Sequence, residues 1–359
     1  YTGWHHPRLT GSDYDQFVER FVVAVKRAFP RALLQWEDFA KHHAFDLLAR
    51  YRDRILSFND DIQGTGATAL AALVSAARIR QRKMRDMTYV MTGFGEAGRG
   101  IADNILTAME VEGLSEAEAR ARIFPVDQQG LLFQDDPRIE PQQRPYARDR
   151  ATVAGWRLEN PDRVTLLDVV RNVHPDVLIG VTARRGLFDQ AILSEMAAGC
   201  ERPTILALSN PTSKVECTPE EVAQATGGRF LMATGSPFPP VQVGDRMQAI
   251  AQCNNLFIFP GVGLGAIISE SPKVTDRMFT AGAHALADLV TDEDRAEGRL
   301  LPRMSDIREV SARVALAVAR EARESGLGRI LDDEGLERLV RRAQWNPHYV
   351  PYRKAPCPR

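Results

Sequence analysis

Between Tyr14 and Phe29 the apolar residues Phe17, Phe21, Val22, Val25 and Phe29 recur three or four positions apart, a period that predicts an amphipathic helix. "RALLQW" (31–36) is a short apolar run that reads as a buried strand, with Glu37 and Asp38 at its end. "HAFDLLARYRDRIL" (43–56) returns to helical spacing. "FNDDIQGTGATALAAL" (58–73) sets two adjacent carboxylates before a run of small and apolar residues, which predicts a buried helix reaching about Arg82. Next, "MTYVMTGFGEAGRGIADNILTAMEVEG" (87–113) reads strand, glycine turn, helix, and "RIFPVD" a strand ending at Asp127. The stretch 128–163 is polar and rich in Pro, Gln and Arg, and reads as surface loop. Helix and strand patterns then alternate through "TLLDVVRNVHP", "DVLIGVT", "QAILSEMAAG", "PTILALSNPT", "PEEVAQATGG" and "RFLMATGS". This alternation predicts an α/β fold with a parallel sheet covered by helices on both faces. Beyond Ser271 only helical patterns remain, and the proline-rich end "WNPHYVPYRKAPCPR" is expected to lie along a surface.

A chain of 359 residues suits two or three packed units. With 46 basic and 47 acidic side chains the formal net charge is −1, so no bulk field recruits nucleic acid or an anionic membrane. No apolar stretch approaches the roughly 20 residues of a membrane helix. The best candidate, 67–77, ends in Arg78 and Arg80. The four cysteines, Cys200, Cys217, Cys253 and Cys357, form no CxxC pair. That pattern points away from a zinc or redox motif and towards a reducing cytoplasm. The chain opens on Tyr1 with no visible signal peptide, and is expected to be a fragment.

Two constellations carry candidate chemistry. Gly93-Phe94-Gly95-Glu96-Ala97-Gly98 follows a strand and opens a helix, the context of a dinucleotide fingerprint. There the first glycine permits a tight turn, the second admits the pyrophosphate, the third allows close packing, and the helix start offers N–H groups to phosphate. The alternative is a tight turn without ligand. Asp127 ends the next strand, where an acid accepts ribose hydroxyls and favours NAD over NADP. Arg144 argues the other way if its loop folds back. This is a Rossmann-type doubly wound sheet in expectation. The second constellation is acidic. Glu37 and Asp38 end one strand, and Asp60 and Asp61 follow after a helix long enough to return the chain to the same edge. Such a set repels itself unless a cation is bound, and hard oxygen donors suit Mg²⁺ or Mn²⁺. Alternatively Asp61 is a helix N-cap and the other acids are solvated; spacing alone leaves both open. Asn210, Asn254 and Asn255 stand near strand ends, where asparagine can hold a carboxylate substrate, or merely start turns.

Taken together, "LLQWEDFAKHHAF", "FNDDIQGTGATALAAL", "GFGEAGRGIADNI", "LSNPTSKVECTPEE", "ATGSPF" and "CNNLFIFPGVGLG" resemble the malic enzymes, metal-dependent enzymes that oxidise and decarboxylate L-malate. "YTGWHHPR", "LLDVVRNVHPDVLIGV" and "IAQCNNLFIFPG" look most like the bacterial NAD-dependent, large-subunit type. Thr68 stands where the family signature usually has Val or Ile, and Phe94 replaces the usual small residue between the glycines. The resemblance implies metal ligands at Glu37, Asp38 and Asp61, and in Asp60 the acid that helps orient the catalytic lysine. It implies substrate contacts at Asn210 and Asn255. Cofactor contacts fall at Gly93, Gly95, Glu96, Ala97, Gly98, Asp127 and Asn210. It implies a dinucleotide domain over 60–255, a discontinuous metal and substrate domain over 1–59 plus 256–330, and a C-terminal helix and tail over 331–359. Dimers or tetramers are expected. The implied products are pyruvate, CO₂ and NADH. The family's base is a lysine and its acid a tyrosine, both in an N-terminal domain with no counterpart found here; Lys41, Lys83 and Lys214 sit in other motifs. The chain is therefore expected to be a weakly active or inactive portion of the enzyme. The rival readings are malolactic enzyme, which yields lactate from malate, and a non-catalytic module that binds NAD and metal. An unrelated Rossmann dehydrogenase would not need Glu37, Asp38 and Asp61.

Overall fold

The computed structural model describes residues 3, 5–160 and 162–352; Tyr1, Cys357 and the tail from 353 onward lie outside the described residues. The chain opens with α1 (Gly11–Ala28), β1 (Leu34–Trp36), α2 (Lys41–Tyr51) and β2 (Ser57–Asn59). The strands β1 and β2 pair in parallel, Leu34 with Ser57 and Trp36 with Asn59, and α2 supplies the crossover. Here the apolar pattern of α1 resolves differently from its reading. Val18 and Val22 pack with Trp36, Leu47, Tyr51 and Ile55, while Phe17, Phe21 and Phe29 are 59%, 45% and 66% exposed.

After a π-helical turn over Asp60–Gly64 comes α3 (Thr65–Ile79), which stops short of Arg82 because Gln81 adopts a left-handed φ of 55°. Then follow β3 (Tyr89–Thr92), α4 (Glu96–Val111), α5 (Glu116–Ala121), β4 (Ile123–Asp127) and β5 (Gly130–Leu131). The alternation continues through α6 (Leu166–Val173), β6 (Val177–Gly180), α7 (Gln190–Gly199), β7 (Thr204–Ala207), α8 (Pro219–Thr226) and β8 (Leu231–Thr234). A hairpin, β9 (Val241–Val243) and β10 (Arg246–Gln248), precedes β11 (Ala251–Gln252). The helices α9 (Phe259–Ile268), α10 (Asp276–Asp288), α11 (Asp292–Ala296), α12 (Ile307–Glu324) and α13 (Asp333–Ala343) complete the described chain.

Seven strands form one sheet in the order β11-β8-β7-β6-β3-β4-β5, parallel throughout except for the antiparallel β4–β5 pair. The near-continuous apolar strands reflect burial on both faces. Alternate residues point to opposite sides: Tyr89, Met91, Ile179 and Leu206 enter a core shared with α3, α4, α10 and α12, while Val90, Leu178, Ile205 and Ala207 enter a second core with α6, α7 and α8. Strand order reverses between β3 and β6, and that switch point opens the crevice at the carboxyl ends of the strands. The polar stretch 128–163 is mostly irregular, as expected, yet it buries Leu132, Ile139 and Tyr146. Among the described residues no helix is long and apolar enough to cross a membrane.

Candidate active site

The parallel pairing of β1 and β2 sends Glu37 and Asp60 off the same ends of adjacent strands. Glu37, Asp60 and Asp61 line a cavity of about 500 Å³ with Asn210 and Asn255. Asn59, not Asp61, caps the turn that follows: its Oδ1 accepts the Ile62 N–H at 2.9 Å. The capping alternative for Asp61 is thereby removed, because the Asp61 carboxylate instead accepts the Asp38 backbone N–H at 2.8 Å. The widened π-helical turn carries both adjacent acids at its start, a placement such bulges often serve at functional sites.

Asp60 is 1% exposed. One carboxylate oxygen accepts from Asn255 Nδ2 at 3.0 Å, and the other, Oδ1, is buried without a partner. Gly64 makes room for it, since a Cβ there would stand 1.9 Å from that oxygen. Burial, first, and then the charges of Glu37 and Asp61 push the Asp60 carboxyl up to about 7, against the opposing Asn255 hydrogen bond. Asp61 is also raised, mainly by burial, with the Asp38 N–H opposing and the Asp38 charge assisting. Asp38 has a left-handed φ of 58°, is exposed, and contributes its main chain to the site. Glu37 is exposed and accepts from Gln35 Nε2 at 2.6 Å. The all-oxygen donor chemistry of Glu37, Asp38 and Asp61 fits a hard divalent cation in kind. Among the described residues no three acidic, His or Cys side chains converge tightly enough to hold one.

The asparagines divide. Asn254 Oδ1 accepts the Leu256 N–H at 2.9 Å, which is turn chemistry. Asn255 donates to Asp60 and to Thr65 Oγ1, the latter at 3.0 Å, so its amide faces the buried acid. Asn210, exposed beyond β7 and ahead of a cis peptide to Pro211, accepts from Ser236 Oγ at 2.7 Å. Thr65, Ser209 and Ser236 were not singled out by pattern; each is a lone hydroxyl beside a motif, and nothing but adjacency marks them.

A second cavity of about 550 Å³ lies over the glycine turn, lined by Gly93, Gly95, Asp127, Thr182, Arg184 and Arg185 among others. Gly93 has a φ of 80°, and a Cβ on it would stand 2.5 Å from the Val181 carbonyl. Asp127 accepts from the Phe94 N–H at 3.2 Å, Gln143 Nε2 at 3.1 Å and the Gln128 N–H at 2.8 Å. The cradle and the strand-end acid fit a dinucleotide. Phe94 turns its ring inward, fully buried against Tyr146 with centroids 5.2 Å apart, and leaves the phosphate path clear. Arg144 is exposed and does not line the cavity; Gln143 is the residue of that loop that reaches Asp127. Ala97 faces the acidic cavity and Gly98 is buried at the helix start. Val181 lines both cavities, so the two are neighbours. A third cavity of about 390 Å³ carries the Arg52–Asp276 and Arg99–Asp103 pairs, its charges mutually satisfied.

Residues 62–323 match the family model of the malic enzyme NAD-binding domain. The chain belongs to the malic enzyme family. Residues 1–52 match the model of the malic enzyme N-terminal domain, so a stretch of that domain precedes the acidic pair. The chain is 47% identical over 354 residues to the NAD-dependent malic enzyme of Pseudomonas aeruginosa strain UCBPP-PA14, covering 99% of this chain and 63% of that protein. It is equally similar, at 47%, to that of Proteus mirabilis strain HI4320, of which it spans 62%. The chain thus spans less than two thirds of the curated relatives it matches. Its structure resembles the malic enzyme of Pyrococcus horikoshii Ot3, with a TM-score of 0.71, 25% identity, and coverage of 90% of this chain and 69% of that one. The NAD-dependent malic enzyme of Thermotoga maritima gives 0.66, 26%, 87% and 72%.

Proposed function

We propose that the chain is the metal- and dinucleotide-binding portion of an NAD-dependent malic enzyme, which converts L-malate to pyruvate and CO₂ with reduction of NAD. The observation that carries this reading is the shared wall at Val181: a cavity holding Glu37, Asp60, Asp61, Asn210 and Asn255 abuts one built on the glycine turn and Asp127. Malate oxidation requires a carboxylate-binding pocket next to a nicotinamide, and the two cavities answer that need.

In this reading the N–H groups at the start of α4 face the pyrophosphate, and Asp127 receives the ribose hydroxyls while the Phe94 N–H and Gln143 hold it in place. The bound nicotinamide supplies the hydride acceptor. Glu37 and Asp61, which line the cavity, and Asp38 beside them would have to be drawn together to hold Mg²⁺ or Mn²⁺, which would supply Lewis-acid polarisation of the substrate's C2 oxygen. Asn210 binds the substrate carboxylate, and Asn255 links that region to Asp60. Asp60, buried and raised towards neutrality, is suited to a proton partner brought close to it. Among the described residues no lysine or tyrosine lines the acidic cavity, so neither the lysine base nor the tyrosine acid expected from the family is among its walls. Turnover by the isolated chain is therefore expected to be slow or nil. Free thiols at Cys200, Cys217 and Cys253 suit a reducing cytoplasm, and a homo-oligomer is expected from the family.

The test is incubation with L-malate, Mn²⁺ and either NAD or NADP, with nicotinamide reduction followed, products identified and NADH binding titrated in parallel. Tight NADH binding with NAD preferred, and pyruvate as any product formed, is the expected result. A chain that binds neither NADH nor Mn²⁺ would sink the proposal, and lactate without NADH would turn it to the malolactic reaction.

A further inference from the structure

We infer that Glu216 is a positioning residue that locks the loop after β6, which lines the dinucleotide cavity, to the loop carrying Asn210; this rests on the malic enzyme reading above. Glu216 lies between β7 and α8 and is fully buried. Its Oε1 accepts from Thr182 N at 2.8 Å, from Thr182 Oγ1 at 2.9 Å, and from Ser209 Oγ. Its Oε2 accepts from Ser209 N at 3.4 Å. Ser209 Oγ in turn accepts the Ala183 N–H at 2.8 Å. One carboxylate therefore ties the loop after β6 to the loop after β7. Gly180 admits it at the end of β6, where a Cβ would stand 2.6 Å from Glu216 Cγ.

What these loops carry gives the contact its function. Thr182 lines the dinucleotide cavity, Ala183, Ser209 and Asn210 line the acidic one, and Val181 lines both. Glu216 touches neither cavity, yet it fixes the spacing between them. Hydride transfer is sensitive to displacements on the order of 1 Å. A buried carboxylate satisfied by four donors from two separate loops is a rigid tie, because loosening either loop leaves polar groups unpaired in the interior.

The experiment uses the full chain with Glu216→Gln, Thr182→Val and Thr182→Ser. Three quantities are read: amide exchange at Thr182, Ala183 and Ser209, the NADH dissociation constant, and the fluorescence anisotropy of the bound nicotinamide. Glu216→Gln and Thr182→Val are expected to speed that exchange about tenfold or more and to lower the anisotropy. NADH affinity is expected to change less than threefold, since Asp127 and the glycine turn still hold the adenosine end. Thr182→Ser, which keeps the hydroxyl that bonds Glu216 and loses only a methyl group, should restore the slow amide exchange of the parent. In an assembled, active enzyme the same pair should split kcat, down about tenfold or more, from a nearly unchanged KM for NAD. If Thr182→Ser is as impaired as Thr182→Val, packing rather than the tie is at work and the inference falls. It also falls if the nicotinamide is held as firmly in Glu216→Gln and Thr182→Val as in the parent. Should Glu216→Gln fail to fold, the two Thr182 variants still decide. Should the parent bind neither NADH nor Mn²⁺, the proposed function fails, and amide exchange alone decides whether Glu216 pins the two loops.

Discussion

Asp60 concentrates the electrostatic strain of the site. Its carboxyl rises from an ordinary 3.8 to about 7, first by burial. Between those values the folded chain keeps a proton that the unfolded chain has released, so stability falls as pH rises through the window. Above about pH 7 the full cost remains, on the order of 4 kcal/mol from a shift of that size. Asp60→Asn should therefore raise the melting temperature at pH 8 more than at pH 5, and flatten its decline between the two. An unchanged decline would show that the buried acid is not its source. A divalent cation should relieve the same cost at pH 8. Asp61→Ala should abolish that relief, which for a cation at a hundred times its dissociation constant amounts to about 2.7 kcal/mol. Undiminished Mn²⁺ stabilisation in Asp61→Ala would remove Asp61 from the ligand set.

The elements that aim these side chains meet at close quarters. A Cβ on Gly100 of α4 would stand 2.0 Å from the Ile62 carbonyl oxygen, in the turn that carries Asp60 and Asp61. Alanine gains about 1 kcal/mol over glycine in a helix interior, but here it must push backbone against backbone, and overpacking of that kind typically costs 1–3 kcal/mol, occasionally more. Gly100→Ala is therefore expected to destabilise by about 1 kcal/mol net and to weaken Mn²⁺ binding; a stabilised variant in chemical denaturation would refute the close contact. The strands β3, β6, β7 and β8 were legible in the sequence because burial on both faces makes them continuous apolar runs. The glycine turn was legible because its backbone conformation restricts residue choice. The π-helical turn at Asp60–Gly64 was not, since one extra residue per hydrogen bond leaves no compositional mark. Asn59 as the cap was hidden by two aspartates beside it that cap equally well. Glu216 was hidden because a single acid between a turn and a helix has no period. On α1, helical spacing gave the element but not its inward face, which depends on Trp36 and Tyr51 across the packing.

At the scale of the molecule, the acidic cavity joins two bodies of unequal strength. One wall, Asn210 and Asn255, stands on the seven-stranded sheet and the start of α9, within or beside the large core. The other, Glu37, follows β1, whose segment packs through a small separate cluster of Val18, Val22, Trp36, Leu47, Tyr51 and Ile55. Outside β2 and the turn after it, that segment meets the rest of the chain through the half-buried Leu33 and Leu56 against the large core and through pairs such as Arg52–Asp276 and Lys273–Asp53. Both pairs include an exposed partner, and such pairs contribute about 0–1 kcal/mol and are screened by salt. Few buried contacts and exposed hydrogen bonds mark a region that opens below the global unfolding free energy. Amides of α1, α2 and β1 are therefore expected to exchange faster than those of α3 and β3, and faster still at 1 M salt. Because Glu37 and Asp38 stand on this weaker body and Asp61 on the stronger, a cation held by all three would tie the two together. Mn²⁺ should then slow exchange in residues 11–36 far more than in β3 or β6, with Asp61→Ala removing the effect. Uniform exchange across both bodies, or Mn²⁺ protection confined to the residues flanking Asp61, would show that the acidic cavity is rigid before any metal arrives and that the Glu37 wall takes no part in holding it.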